Sequence, residues 1–262
     1  MLKKSALMFA AAATLLSGCW GQSGTQVTED DVKRIVEDYI KNDTGKVLDA
    51  INAYAMQQQE LARQKAEDES FNNPIKDTIA AHTPVWGSAT APITIIEYSD
   101  FQCPYCARAK QVVDQLKEKY GADKIRIAYK HLPLGFHDQA RPAALAAQAA
   151  NRQGKFWEYH DALFVNQADL SEATLVKIAT SLKLDLKKFN ADRASAEVAK
   201  EVDADLADAQ RLQIQGTPNF LVNGVPLRGA MPIEQFDRVI ARLTGAAQPA
   251  AQPAAGQPAN GQ

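Results

Sequence analysis

The feature that most constrains this 262-residue chain is a pair of cysteines between a strand pattern and a helix pattern. Residues 93–98 (ITIIEY) are apolar on both faces, which is typical of a strand inside a covered sheet. A polar corner leads to CPYC at residues 103–106, and apolar residues then recur at a spacing of three and four over residues 109–120. This order predicts that Cys103 lies at a helix N-terminus, where free backbone N–H groups and the helix dipole favour a thiolate. The sequence therefore predicts a redox site.

Two other uses of a C-x-x-C pair fit this sequence less well. A closed zinc site needs four ligands at characteristic spacings, and apart from Cys19 the chain adds only four scattered histidines. A two-residue spacer at a helix start is also poorly suited to joining distant segments by a structural disulfide. We therefore predict no metal site and no cofactor.

The first residues predict export and a lipid anchor. Residues 1–4 (MLKK) end in two lysines, and the apolar run at residues 6–16 is too short to count as a membrane-spanning helix. Residues 16–19 (LSGC) resemble the lipobox of bacterial lipoproteins, which implies removal of a signal peptide and lipidation of Cys19. An ordinary cleaved signal peptide is the alternative. We expect the protein on the periplasmic side of the cell envelope, anchored by lipid to either the inner or the outer membrane.

Lipidation of Cys19 would leave Cys103 and Cys106 as the only thiols. One vicinal pair without a structural disulfide is unusual for a disulfide-stapled exported scaffold, but it suits an enzyme that acts on the disulfides of other proteins. The composition is otherwise that of a globular protein, 46% hydrophobic and 23% charged. A net charge of -2 gives no indication of a nucleic-acid partner.

Before the first strand, residues 27–70 predict a helical arm with two amphipathic helices. A break at residues 42–45 separates them. Two such helices are too few to enclose a core of their own, so their apolar stripes must pack against the main domain or against a second copy of the arm. We expect the second arrangement, a homo-oligomer, while the first stays open.

After the C-x-x-C helix, the chain continues with an α/β pattern. A strand at residues 125–130 completes a strand–helix–strand unit, which implies parallel pairing with a right-handed crossover. Residues 139–213 then have a helical pattern throughout. Before the unit, residues 77–80 are expected to form a short edge strand.

The last strands are predicted to form a hairpin. Asn223-Gly224 is a strong signal for a type I′ turn, and Pro226 places the second strand at an edge because proline cannot donate to a ladder. A closing amphipathic helix follows over residues 232–243.

Three motifs resemble the DsbA-like thiol–disulfide oxidoreductases. They are IIEYSDFQCPYC at residues 95–106, GKFWEYH at 154–160 and GTPNFLVNG at 216–224. The resemblance covers about residues 84–243 and implies a thioredoxin fold with an inserted all-helical domain. The predicted organisation is a signal peptide 1–18, a tether 19–26, a helical arm 27–70, a thioredoxin-like domain 71–136 and 214–245, an inserted helical domain 137–213, and a disordered Ala/Gln/Pro tail 246–262.

The same resemblance implies a role for each site residue. Cys103 would be the exposed nucleophile and Cys106 the buried, resolving thiol. Glu97, six residues before Cys103, would accept the proton of Cys106; a surface salt bridge is its alternative. The residues expected to bind substrate are Thr217, Pro218 with a cis peptide bond, Pro104 and Tyr105.

These expectations lead to a functional hypothesis. The protein is predicted to introduce disulfides into exported proteins by exchange through Cys103 and Cys106, with a membrane redox partner restoring its own disulfide. A disulfide isomerase or reductase working as a homo-oligomer is one alternative. A binding module that holds Cu(I) between the two thiolates is another.

Overall fold

The computed structural model of the protein describes residues 27–246. The chain divides between Ala62 and Arg63 into two units, each with its own internal contacts. The predicted signal peptide, the tether with Cys19, and all of the predicted tail after Ala246 lie outside the described residues.

The first unit contains helix α1 (Glu29–Asn42) and most of helix α2 (Thr44–Asn72). Helix α1 begins with a capping box in which the Thr28 hydroxyl accepts from the Asp31 amide while the Asp31 carboxylate accepts from the Thr28 amide. Neither helix contains a buried residue. The apolar side chains of α1 are between 48% and 61% exposed: Val32, Ile35, Val36, Tyr39 and Ile40.

The second unit is built on one five-stranded sheet in the order β1-β3-β2-β4-β5. The strands are β1 (Val85–Trp86), β2 (Ile93–Ser99), β3 (Ile125–His131), β4 (Asn219–Val222) and β5 (Val225–Arg228). As predicted, β2 and β3 pair in parallel, and the other pairs are antiparallel. Asn223 and Gly224 both have positive φ angles, as a type I′ turn requires, and Pro226 lies in the edge strand β5.

The predicted edge strand at residues 77–80 is wrong. The edge position beside β3 belongs to β1, and residues 74–80 have no regular structure. Instead, the buried Asp77 carboxylate accepts hydrogen bonds from the Tyr98 hydroxyl at 2.6 Å and from the Lys130 ammonium at 2.9 Å. This segment is therefore held to the sheet by side-chain bonds rather than by a backbone ladder.

The helices of the second unit cover both faces of the sheet. They are α3 (Pro104–Tyr120), α4 (Ala140–Asn151), α5 (Phe156–Val165), α6 (Glu172–Ser181), α7 (Leu186–Arg193), α8 (Ala196–Arg211) and α9 (Ile233–Thr244). Alternation along β2 sends Ile93 and Ile95 into the core under α3 and α9, whereas Ile96 and Tyr98 pack on the opposite face. Helices α4 to α8 form the helical block expected between β3 and β4. Within the described range, no helix combines the length and apolarity needed to cross a membrane.

Candidate active site

Cys103 is the N-cap residue of α3, and Pro104 occupies the first helical position. Proline suits that position because its missing N–H would have no partner there and its φ is already helical. The two cysteines are free thiols in this structure. The predicted exposure of Cys103 is wrong, since only 4% of the residue is accessible, but Cys106 is more deeply buried at 0%.

The surroundings act in opposite directions on the two thiols. A hydrogen bond from the Cys106 thiol holds the pKa of Cys103 well below its ordinary value, with smaller help from the Thr217 side chain and from backbone amides of the first turn. Burial raises the pKa of Cys106, and its bond to Cys103 adds to this. The negative charge of a deprotonated pair therefore resides on Cys103.

The loop before β4 brings a second element to the nucleophile. The Cys103 thiol donates to the carbonyl oxygen of Thr217 at 3.5 Å, and the Thr217–Pro218 peptide bond is cis, as expected. A groove of about 400 Å³ runs beside this loop, lined by Gln213, Gln215, Gly216, Thr217, Pro218, Asn219, Arg228 and Gly229. Thr217 thus borders both this groove and the Cys103 sulfur.

Glu97 lies on β2 inside the core, with 1% of its surface accessible. Neither carboxylate oxygen makes a hydrogen bond within the described residues, so the alternative of a surface salt bridge is wrong. Burial raises the pKa of Glu97 to about 7, against smaller opposing effects of the Ser99 hydroxyl and the Lys117 ammonium. Such a carboxyl can both accept and release a proton near neutral pH.

Sequence reasoning did not identify the residues that hold the active-site turn. The Gln167 side-chain amide donates to the carbonyl oxygens of Phe101 at 2.8 Å and Cys103 at 3.0 Å. The Asp100 carboxylate accepts from the Gln102 and Leu134 amides and lies 2.7 Å from His137 Nδ1. The polar corner before the cysteines was a visible signal for Asp100, whereas no local pattern marks Gln167 or His137.

Tyr105 is the exposed member of the C-x-x-C turn. Its side chain is 54% exposed, and the Arg108 guanidinium lies 4.3 Å from the centre of its ring. Tyr105 is therefore accessible at the rim of the site, as a substrate-binding residue would need to be. Among the residues that the structure describes, no group of three or more His, Cys, Asp or Glu side chains is placed to hold a metal ion.

The family model described as thioredoxin matches residues 79–242. The chain belongs to the thioredoxin family. This match includes the C-x-x-C turn, the cis Thr217–Pro218 bond and all five strands of the sheet. The predicted thioredoxin fold with an inserted helical block is confirmed.

Solved structures support a DsbA-like member of this family. A thioredoxin-like oxidoreductase from Silicibacter pomeroyi is 30% identical, covering 64% of this chain and 95% of its own, with a TM-score of 0.59. α-DsbA1 from Wolbachia pipientis is 26% identical over 64% of this chain and 92% of its own, with a TM-score of 0.57. BdbD from Bacillus subtilis shares the fold at 21% identity, covering 66% and 99% with a TM-score of 0.59. The predicted DsbA-like resemblance is confirmed.

Curated relatives of this thioredoxin-family chain carry a different kind of name. Na(+)/H(+) antiporter NhaA 3 of Salinispora tropica is 42% identical over 161 residues, which is 60% of this chain and 24% of that protein. Na(+)/H(+) antiporter NhaA of Herminiimonas arsenicoxydans is 40% identical over 144 residues, 55% of this chain and 23% of that protein. The chain thus spans about a quarter of the length of these relatives. The name Na(+)/H(+) antiporter applies to those longer proteins.

Proposed function

We propose that the protein is a thiol–disulfide oxidoreductase that introduces disulfide bonds into exported proteins through Cys103 and Cys106. The observation that carries this proposal is the Cys103 thiol at the N-terminus of α3, 3.5 Å from the carbonyl oxygen of Thr217 in the cis Thr217–Pro218 loop, where its pKa is lowered while that of Cys106 is raised. Stabilising one thiolate stabilises the reduced form, which makes the oxidised form the stronger oxidant. A shift of 30 mV corresponds to about 1.4 kcal/mol.

The chemistry proceeds in two exchanges. A substrate thiolate attacks the Cys103 sulfur of the oxidised pair; the Cys103–Cys106 bond breaks, and Cys106 leaves as a thiolate that takes a proton from Glu97. A second substrate thiolate then attacks the substrate sulfur of the mixed disulfide, and Cys103 leaves as a stabilised thiolate. The substrate loses two electrons, which the enzyme holds as the Cys103 thiolate and the Cys106 thiol until a membrane redox partner removes them.

Substrate binding would use the loop beside the nucleophile. An extended peptide can pair with the Thr217 backbone as an added strand, and the groove of about 400 Å³ beside Thr217 and Pro218 gives it room. Pro104 and Tyr105, in the first turn of α3 beside Cys103, would also contact the peptide. Sequence-independent backbone pairing suits an enzyme that acts on many exported proteins.

The proposed location follows from Cys19. As a lipidated N-terminal residue it would anchor the enzyme at the periplasmic side of the cell envelope, where disulfides persist. Mass spectrometry of the membrane fraction, with Cys19→Ser as the control, tests this. Recovery of the mature wild-type protein without a lipid would contradict it.

The decisive experiment for the activity is the equilibrium redox potential of the Cys103–Cys106 pair in a glutathione buffer. A potential near about −120 mV supports an oxidase, whereas one near about −270 mV identifies a reductase and contradicts the proposal. Oxidation of a reduced test protein must also be lost in Cys103→Ser. Copper bound after purification under reducing conditions would favour the Cu(I)-binding alternative instead.

A second candidate function, a disulfide isomerase working as a homo-oligomer, is favoured by the exposed apolar stripe of α1. Five apolar side chains that are about half exposed on one short helix need a partner, and an identical stripe on a second copy is complementary in its chemistry. We therefore propose self-association through residues 27–70. The molar mass of the full chain in solution, compared with that of the Ile35→Ser/Tyr39→Ser variant, tests it; a monomeric wild type would contradict it.

A further inference from the structure

Besides the Thr217 hydroxyl in the loop before β4, three buried side chains near the Cys106 thiol carry oxygen atoms without a direct hydrogen-bond partner among the described residues. They are both carboxylate oxygens of Glu97, the Ser99 hydroxyl and the Tyr129 hydroxyl. Each residue is at most 1% exposed. Leaving a buried polar group without a hydrogen bond costs about 1–3 kcal/mol of stability. Several such groups in one place therefore indicate that they serve the chemistry of the site.

The strand register brings these groups together. Glu97 and Ser99 are two apart on β2, so they point to the same face, about 6.7 Å from each other along the strand. Tyr129 on the parallel strand β3 is the register partner of Glu97, and Tyr129 packs in the same core cluster as Cys106. The three side chains therefore lie on the sheet face that α3 covers.

A backbone contact fixes Cys106 next to Ser99. The amide of Asp100, the residue that follows Ser99, donates to the Cys106 sulfur at 3.5 Å. The Ser99–Asp100 peptide thus borders the resolving thiol, and Ser99 follows Glu97 on the same face of the strand. The Ser99 hydroxyl has no hydrogen-bond partner among the described residues, so it is free to engage either group. The Ser99 hydroxyl can donate one proton while it accepts another, as a relay requires.

We propose that the Ser99 hydroxyl relays the proton between the Cys106 thiol and the Glu97 carboxyl. This rests on the proposed function, because it concerns the resolving thiol of the same exchange. When Cys106 attacks a mixed disulfide, Ser99 Oγ accepts the thiol proton and passes its own proton to Glu97. Cys106 becomes a thiolate, Ser99 is unchanged and Glu97 becomes neutral; when Cys106 is the leaving group, each proton moves back.

The electrostatics of the cluster agree with this path. The Ser99 hydroxyl opposes the burial-driven rise in the pKa of Glu97, Cys106 and Tyr129 alike, as a group placed among all three would. It has no such effect on Cys103. The titratable groups that face the cluster are Asp100 after β2, Cys106, Asp114 and Lys117 on α3, Tyr129 and His131 on β3, and His160 on α5.

Stopped-flow reaction of the reduced protein with Ellman's reagent separates the two thiols. The first thionitrobenzoate is released when Cys103 attacks the reagent, and the second when Cys106 resolves the adduct. In the wild type, the second phase should accelerate with pH through an inflexion near 7, where Glu97 becomes the proton acceptor. Ser99→Ala should slow that phase about 100-fold and leave the first phase unchanged, whereas Ser99→Thr, which keeps the hydroxyl, should restore it.

Two further measurements decide between a relay and a structural role. In a Glu97→Gln background, Ser99→Ala should have no additional effect on the second phase, because the path is already interrupted. In the wild type, the rate of that phase in mixtures of H₂O and D₂O should curve downward, since two protons move together. This measurement needs no variant and holds even if Ser99→Ala does not fold.

Failure of this inference differs from failure of the proposed function. If the wild type releases no second thionitrobenzoate, the exchange activity itself is wrong. If it does, and Ser99→Ala resolves at the wild-type rate, or Ser99→Thr is as slow as Ser99→Ala, or the isotope dependence is linear, the relay alone is overturned.

Discussion

The Cys103 sulfur lies 3.5 Å from the carbonyl oxygen of Thr217, 114 residues later in the chain. Cys103 caps the helix that follows β2, Thr217 lies in the loop before β4, and the two residues meet because β2 and β4 pair directly in the sheet. A peptide paired with the Thr217 backbone would be held beside the sulfur that its thiol must attack. Much of the rate advantage of such a site comes from this fixed approach.

Removing the resolving thiol should raise the pKa of Cys103. The Cys106 thiol is the largest cause of the lowered Cys103 pKa, because it donates a hydrogen bond to the thiolate. Cys106→Ala removes that donor, whereas Cys106→Ser supplies another and should shift the pKa less. The ultraviolet absorbance of the thiolate as a function of pH measures both. Equal pKa values in Cys106→Ala and the wild type would contradict this cause.

Glu97→Gln should stabilise the reduced protein at alkaline pH and have little effect at pH values below about 4. The folded-state pKa of Glu97 is about 7, against an ordinary value of 4.5. Between these values the folded state binds more protons than the unfolded state, so wild-type stability falls as pH rises and the full loss is reached above pH 7. The shift corresponds to about 3 kcal/mol.

Denaturant unfolding of both proteins at several pH values checks this expectation. The difference between Glu97→Gln and the wild type should grow through the interval from 4.5 to 7 and then stay constant. Glu158→Gln serves as the matched control, since that carboxyl is on the surface and its pKa is lowered by Lys155. A difference independent of pH would mean that Glu97 is not a buried, titrating carboxyl.

The sequence alone predicted those parts of the fold that depend on neighbouring residues. The helix start at Cys103 and the hairpin turn at Asn223-Gly224 depend on neighbouring residues, and both are as predicted. The small exposure of Cys103 and the place of Gln167 depend on packing between segments more than 60 residues apart. No periodicity carries that information. Residues 77–80 show the same limit, because a buried carboxylate rather than a ladder holds them.

Lys130→Met should destabilise the fold without changing the chemistry of each folded molecule. The Lys130 ammonium is buried between Asp77 at 2.9 Å and Asp208 at 2.7 Å, on the sheet face opposite Cys106. Removing it leaves the buried Asp77 charge with only the half-exposed Arg211 guanidinium, at 3.3 Å, and breaking a buried ion pair typically costs about 3–5 kcal/mol. Unfolding in denaturant measures the loss.

The control for Lys130→Met is Lys155→Met. Lys155 pairs with Glu158 at 2.8 Å, but both side chains are about half exposed, so its loss should cost about 0–1 kcal/mol. Similar destabilisation in the two variants would show that the buried ion pair has no special importance. A change in the Cys103 pKa of folded Lys130→Met would contradict the separation of the two faces.

Gln167→Leu should loosen the active-site turn and slow disulfide exchange. The Gln167 amide donates to the carbonyl oxygens of Phe101 and Cys103, and leucine, of similar size, donates nothing. Two lost hydrogen bonds correspond to about 1–3 kcal/mol, and amide hydrogen exchange at residues 102–106 should become faster. Gln139→Leu is the comparison, because the Gln139 side chain accepts from the Leu170 amide outside the turn.

The helical block supplies the Gln167 side chain that holds the turn. A disulfide-exchange rate that falls only in Gln167→Leu would therefore show that the inserted helices order the nucleophile as well as covering it. An unchanged rate together with faster exchange would limit their role to stability.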